Sequence, residues 1–280
     1  MKNRIVINSL QRLMILVFVL LLCALVLVPF IIMVSYSLRT NAELYDFGIS
    51  LIPKNFSLKS YQDLWNNNTR LTQWMINTLY ATGVSTLLVI ITSAMMAYGI
   101  AKFRFHGRKG IWFVIAMTQS IPWVIALIPL YMTLSDLKLL DQLNTVMLVY
   151  TACFIPPSTW LMVGFFKKIP DELENAARID GCSNWGVLLK IVLPVSVNAL
   201  TAIGLTAFIG AWGDYITATT ILKSKASWTL TIAIQYLQGP FYTEWTQIMA
   251  LGTIISVPVI VLFLWFEKYL VNLMAGGIKE

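Results

Sequence analysis

PDELENAARIDGCSNWGVLLKIVLP, residues 170–194, opens polar and charged inside a chain that is 58% hydrophobic, with a mean hydropathy of +0.74. Asp171 follows Pro170 and precedes Glu174 by three positions, a capping-box-like start, and the spacing predicts a helix over 172–180. Gly181 is suited to the left-handed conformation that ends a helix. Ser183 can then cap a second helix over 184–193, which Pro194 closes. Leu173, Ala176, Ala177 and Asp180 recur at helical spacing and share one face of the first helix. That face carries one large anchor among small groups, so another surface can approach it closely. Glu174 and Arg178 stand four apart and pair along its side.

A helix lying on the inner leaflet is the competing reading of this stretch. Such helices carry Lys and Arg on the polar face and large apolar residues on the other. Here Asp171, Glu172, Glu174 and Asp180 face a single Arg178, and the apolar side is small. An acidic helix matches an anionic leaflet poorly; a docking element for a protein partner fits the residues better.

The surroundings are built for lipid. Charged residues make up 12% of the 280-residue chain, about half the usual soluble share. Residues 13–38 carry no charge, and at about 1.5 Å per residue they exceed the roughly 30 Å hydrocarbon core. Comparable runs cover about 72–101, 111–134, 142–166, 195–222 and 246–268, the fifth interrupted by one acid, Asp214. The fold class is therefore an all-α polytopic membrane protein with six transmembrane helices. The helix-turn-helix loop, 167–194, falls between the fourth and fifth spans. The first span, with Lys2 and Arg4 before it, also has the flanks of a signal peptide. Its apolar run is about twice a usual signal core and no small-residue cleavage site precedes Arg39, so it reads as a retained helix.

With both termini cytoplasmic, thirteen of the 20 Lys and Arg residues lie on the inner side and seven on the outer. The loop KFRFHGRKG, 102–110, holds four basic groups and no acid. The net charge of +7 is thus a topology signal, and a nucleic-acid partner is a poor explanation for it. Cys23, Cys153 and Cys182 have no disulfide or metal spacing, and His106, the only histidine, sits in the basic loop. Zinc chemistry and histidine-based catalysis are excluded, and the absence of any Gly-Lys dipeptide excludes a Walker A phosphate loop.

The loop at 170–194 also carries a resemblance. ENAARIDG followed by IVLP is similar to the EAA loop of binding-protein-dependent ABC importers: Glu-Ala-Ala, three residues, Gly, then Ile-x-Leu-Pro. Ala176, Ala177, Gly181, Ile191, Leu193 and Pro194 match, whereas Asn175 holds the motif's Glu position with Glu174 one residue earlier. FSLKSY at 56–61, AKFRFHGRKG at 101–110 and the ending KYLVNLMAGGIKE extend the resemblance to maltose-type carbohydrate permeases. The resemblance implies a non-catalytic permease subunit in the cell membrane of a bacterium or archaeon. It implies a second related permease, two ABC ATPase subunits and an extracytoplasmic solute-binding protein as partners, besides membrane lipids. It places ATP and Mg on the ATPases, with no cofactor on this chain. The implied ATPase-coupling residues are Asp171, Glu172, Leu173, Glu174, Asn175, Ala176, Ala177, Arg178, Asp180 and Gly181.

Asp214, in GAWGDYIT, is the one acid well inside a predicted span, and such a charge faces a bundle interior, a wet cavity or a partner helix. As a substrate-path residue it has Trp212 and Tyr215 beside it as sugar-stacking surfaces; as a structural residue it pairs between helices. Asn77 and Gln119 are further path candidates, with helix–helix hydrogen bonding as their alternative role. Sugar is the cargo the resemblance implies, with polyamine, phosphate or another small solute as the alternative. An ion-coupled secondary transporter, which needs intramembrane charges in several spans, has only Asp214 to offer.

Overall fold

A computed structural model describes residues 9–47, 52–67, 70–238 and 243–276. Its regular structure is helical, with one isolated bridge, Gln238 to Thr243, and no strand among the described residues. The chain divides into two compact units, Met1–Thr69 with Tyr236–Ser256, and Arg70–Gln235 with Val257–Glu280.

The first unit contains α1 (Ser9–Ser37), α2 (Asn41–Phe47) and α3 (Lys59–Asn67). A polar knot follows α1. Arg39 is fully buried, donates from Nη2 to Ser35 Oγ at 2.9 Å and lies 3.7 Å from Glu43. Glu43 in turn accepts from the backbone N–H groups of Lys54 at 2.8 Å and Asn55 at 3.2 Å.

The second unit starts with α4 (Leu71–Lys102), α5 (Arg108–Thr118), α6 (Trp123–Asp136) and α7 (Leu143–Phe166). It continues through α8 (Asp171–Ile179), α9 (Asn184–Val187), a π-helical stretch (Leu188–Val192) and α10 (Leu193–Val195). The remaining helices are α11 (Val197–Trp212), α12 (Ile216–Ile221), α13 (Leu230–Tyr236) and α14 (Trp245–Gly276), the last running through both units. Helices α4, α7 and α11 pack on one another. The buried face of α4 is rich in small residues, Ala81, Ser85, Ser93, Ala94 and Ala97, which let backbones approach. Met162, Val163 and Phe166 from α7 and Ile203 from α11 fill one core cluster beside them.

Among the described residues, four helices are long and apolar enough to cross a membrane: Leu10–Ser37, Leu71–Lys102, Leu143–Phe166 and Trp245–Tyr269. Two of the predicted spans are not straight. The third, expected over 111–134, is α5 and α6 bent by 98° across Gln119–Pro122. Pro122 has no N–H to donate and pushes Ile121 away from helical geometry, so the helix stops there. The fifth, expected over 195–222, leaves Asn184–Val195 through an 80° bend at Ser196, and α11 ends at Trp212. Asp214 therefore lies beyond the end of α11, not inside a continuous helix. Counting each bent pair as one span gives six.

Close packing of α11 makes one position testable. A Cβ added at Gly210 would overlap the ring of Phe154 on α7. Gly210→Ala is expected to destabilise the protein by about 1–3 kcal/mol, because the ring must leave its packed position. A lowered thermal midpoint of the detergent-solubilised protein is the measurement.

Candidate functional site

The helix-turn-helix predicted from 170–194 is present, and of the face expected to be open to a partner Leu173, Ala176 and Asp180 are exposed while Ala177 is buried. Helix α8 begins at Asp171, and Pro170 precedes it without a side-chain cap. The capping box is not made because both acids are engaged elsewhere. Lys102 Nζ, at the last position of α4, lies 2.8 Å from Asp171 Oδ1 and 2.9 Å from Glu174 Oε1. The same ammonium donates to the Ile169 carbonyl at 2.7 Å. Arg178 Nη2 reaches Glu174 Oε2 at 3.1 Å, the expected i,i+4 pair, and Tyr98 donates to the same oxygen at 3.4 Å.

Burial sorts these groups. The side chains of Glu174 and Lys102 are 2% and 7% exposed, whereas that of Asp171 is 80% exposed. The hydrogen bond and charge of Lys102 still hold the Asp171 carboxyl below the usual range. Removing one partner from a buried ion pair leaves the other charge unmatched, at a cost of about 3–5 kcal/mol. Glu174–Lys102 is such a pair; Asp171 contributes little to stability at its exposure.

The turn into the second helix follows the sequence closely. Gly181 has φ +85° and donates to Arg178 O at 3.1 Å, and Cys182 N–H reaches Ala177 O at 2.9 Å. These two bonds make a Schellman motif, in which the left-handed residue satisfies the last free carbonyls. Ser183 Oγ accepts from Gly186 N–H at 3.2 Å, the expected cap of α9. The second helix does not end at Pro194. Its Leu188–Val192 stretch widens to π geometry, with Leu193 N–H bonded to Leu188 O, and the chain passes through Pro194 to Val195. Proline removes an i→i−4 donor, and the wider turn accommodates that loss.

One face of α8 is consequently fixed inward and another left open. Ala177 and Glu174 are buried; Glu172, Leu173, Asn175, Ala176, Arg178, Ile179 and Asp180 are exposed. Only Ala177 departs from the expected open face: it packs with Val187 and Leu188 in the core, on the side of α8 where Glu174 pairs with Lys102. Ile179, which sequence reading passed over, is 87% exposed beside Ala176 and Glu172. A large apolar residue one turn beyond Ala176, between Arg178 and Asp180, was the available sign. Asn175 accepts from Arg178 at 3.2 Å.

The five substrate-path candidates do not form one cluster. Asp214 Oδ1 accepts from the N–H groups of Thr217 at 2.9 Å and Ala218 at 3.1 Å, and Oδ2 accepts from the Thr217 hydroxyl at 3.0 Å. It thus caps α12, and Tyr150 on α7 donates to it at 3.2 Å, the interhelical pairing that sequence reading held as its alternative. Trp212 is buried and stacks on Phe208. Tyr215 is half-buried and bonds Gln235. Asn77 is buried and donates to the carbonyls of Ala226 and Trp228, both at 2.9 Å. Gln119 is exposed at the break between α5 and α6.

The segment that Asn77 holds is clasped from a second side. Asp141, at φ +60°, accepts at Oδ1 from the N–H groups of Lys223 and Ser224, each 2.9 Å, and from the Ser227 hydroxyl. Burial pushes the Asp141 carboxyl up, but the bonds from Ser227, Ser224 and Lys223 prevail and hold it at about 2, against 3.8 when free. A depressed carboxyl stabilises the fold above its unfolded value and loses that contribution as pH falls from about 4 to 2. Asp141→Ala is expected to cost about 1 kcal/mol at pH 7, allowing for screening of this part-exposed group. The difference in thermal midpoint between variant and native protein should close as the pH is lowered through that window.

Residues 89–276 match the family described as binding-protein-dependent transport system inner membrane component. The chain is 34% identical over 254 residues to a sulfoquinovosyl glycerol transport system permease protein of Agrobacterium fabrum, covering 90% of this chain and 89% of that one. It is 27% identical to an arabinooligosaccharides transport system permease protein of Bacillus subtilis, covering 97% of each. A galactooligosaccharides transport system permease protein of the same species is 31% identical, covering 82% of this chain and 83% of its own. In fold it is similar to a chain of a bacterial ABC transporter that imports the acidic polysaccharide alginate, with a TM-score of 0.83 and 23% identity over 94% of this chain and 98% of that one.

Proposed function

From the premise that this chain belongs to the binding-protein-dependent transport system inner membrane component family, we propose that it is the permease subunit of an ATP-driven ABC importer for a sugar or oligosaccharide. The single observation that carries the mechanism is the exposed face of α8, projecting Glu172, Ala176 and Ile179 while Lys102 grips its other side. Helix α8 is the surface an ATPase subunit would push. In this reading both termini and 167–194 are cytoplasmic, as the Lys and Arg distribution favours, and each bent helix pair counts as one span.

The partners follow: a second related permease, two ATPases carrying ATP and Mg, and an extracytoplasmic binding protein that delivers the solute. A related solved structure is of a bacterial alginate ABC transporter in complex with a pentasaccharide-bound periplasmic protein. The sugar assignment draws on the relatives' names, and all three of those cited handle glycosides or oligosaccharides. Asp214 and its neighbours act on this reading through the shape of the α11–α12 break, with Tyr215 the ring nearest to serving as a sugar surface.

The test is to solubilise native membranes gently, pull on this chain and identify its company, then measure ATP-driven uptake into vesicles. A panel of labelled arabino-oligosaccharides, galacto-oligosaccharides and sulfoquinovosyl glycerol covers the cargo class, with a polyamine and phosphate as non-sugar controls. Copurification of an ATPase and a second permease, with uptake of a panel sugar, supports the reading. A chain that emerges alone, with uptake independent of ATP, overturns it.

A further inference from the structure

We infer that Lys102 is the positioning residue that turns a push on α8 into movement of α4. The inference rests on the reading of α8 as the ATPase-docking helix. Covalently, α8 is tied to the bundle only by turns: Lys167–Pro170 on one side and the left-handed Gly181 on the other. Turns alone let a pushed helix swing. The Lys102 ammonium closes that freedom across both the entry turn and the helix: it donates to Ile169 O and Asp171 Oδ1 and forms an ion pair with Glu174 Oε1 at 2.9 Å.

The far end of this grip is stiff. Lys102 is the last residue of a 32-residue helix that packs on both α7 and α11. Tyr98, one turn earlier on α4, reaches the other oxygen of Glu174, so α4 holds the acid at two points. Arg178 closes the set from α8 itself. Because the Lys102–Glu174 pair is almost sealed from water, salt screens it weakly and it stays engaged under load. The acids that the sequence marks as docking charges are thus divided: Glu172 faces outward, and Glu174 anchors the helix inward.

The experiment compares wild-type and Lys102→Met complexes, both permeases with ATPases and binding protein, reconstituted in vesicles. It reads ATPase copurification, ATP hydrolysis, and uptake per ATP of the panel sugar that wild-type vesicles accumulate. Lys102→Met keeps the length of the side chain and removes its charge. The expected result is copurification within about twofold of wild type, continuing hydrolysis, and at least a tenfold fall in uptake per ATP. Lys102→Arg, which restores the cation, is expected to recover most of that ratio. If Lys102→Met fails to assemble, Glu174→Gln takes its place, with an expected fall in the ratio of about threefold or more. An unchanged ratio in the variant that assembles overturns the inference. So does a parallel loss of assembly, hydrolysis and uptake in both Lys102→Met and Glu174→Gln, which marks the Lys102–Glu174 pair as a fold staple only. Wild-type vesicles without ATP-driven uptake would instead sink the functional reading, and the inference with it.

Discussion

Ile179→Glu is expected to leave the permease folded and, on the proposed reading of α8 as the ATPase-docking helix, to weaken association with the ATPase at least about thirtyfold. The side chain is 87% exposed, so its replacement removes almost no packing within the chain, and surface changes of this kind usually alter stability by under 0.5 kcal/mol. As an apolar side chain at the end of the proposed docking helix, Ile179 would be buried against the ATPase, where a change counts differently. An anchor that is a hot spot of the interface costs about 2 kcal/mol or more when truncated, and burying a new unpaired carboxylate adds to that. A loss of at least thirtyfold in ATPase affinity follows, since 1.4 kcal/mol is about a factor of ten. Three measurements check it together: the thermal midpoint of the variant, the amount of ATPase that copurifies, and ATP-driven uptake. An unchanged midpoint with lost copurification is the expected pattern. Retained copurification would mean that α8 meets the ATPase through another face, Leu173 and Asp180 being the exposed alternatives.

The same helix shows why the sequence was legible in some respects and not others. Turn chemistry is local, so Gly181 and Ser183 were readable: a left-handed glycine and a serine cap act within four residues of themselves. Apolar run length is also local, which is why four long helices lie where composition put them. What was not legible depends on partners far away in the chain. Lys102 stands 72 positions before Glu174, and in the sequence it is one more basic residue in a loop that topology already explains. Its pairing with Glu174 sets which side of α8 is buried, Glu174 with Ala177, and the capping box is not made. The bent third span is intermediate: Pro122 signalled a break, but the 98° bend depends on where α5 and α6 find neighbours. Asp214 illustrates the limit of charge as a clue. An acid in an apolar run was visible, and its use as the cap of α12 required knowing that α11 stops at Trp212.

Gly181 supports the second large prediction, because its conformation fixes the direction in which α9 leaves α8. At φ +85° a residue with a Cβ meets the following carbonyl, at a cost of about 1–2 kcal/mol, and a β-branched side chain suffers most. No neighbouring atom lies within 4 Å of an added Cβ there, so the penalty is one of backbone conformation and not of crowding. Gly181→Val is therefore expected to shift the turn away from the Schellman geometry by roughly 2 kcal/mol, about thirtyfold in population. The bond from Cys182 N–H to Ala177 O then breaks, and α9 loses its alignment with the end of α8. Gly181→Asn provides the discriminating comparison, since asparagine enters the left-handed region far more readily. Uptake by the asparagine variant should stay within about threefold of wild type while that of the valine variant falls at least tenfold. If valine and asparagine behave alike, the left-handed turn is not what directs α9, and the π-helical stretch at Leu188–Val192 becomes the element that sets the angle.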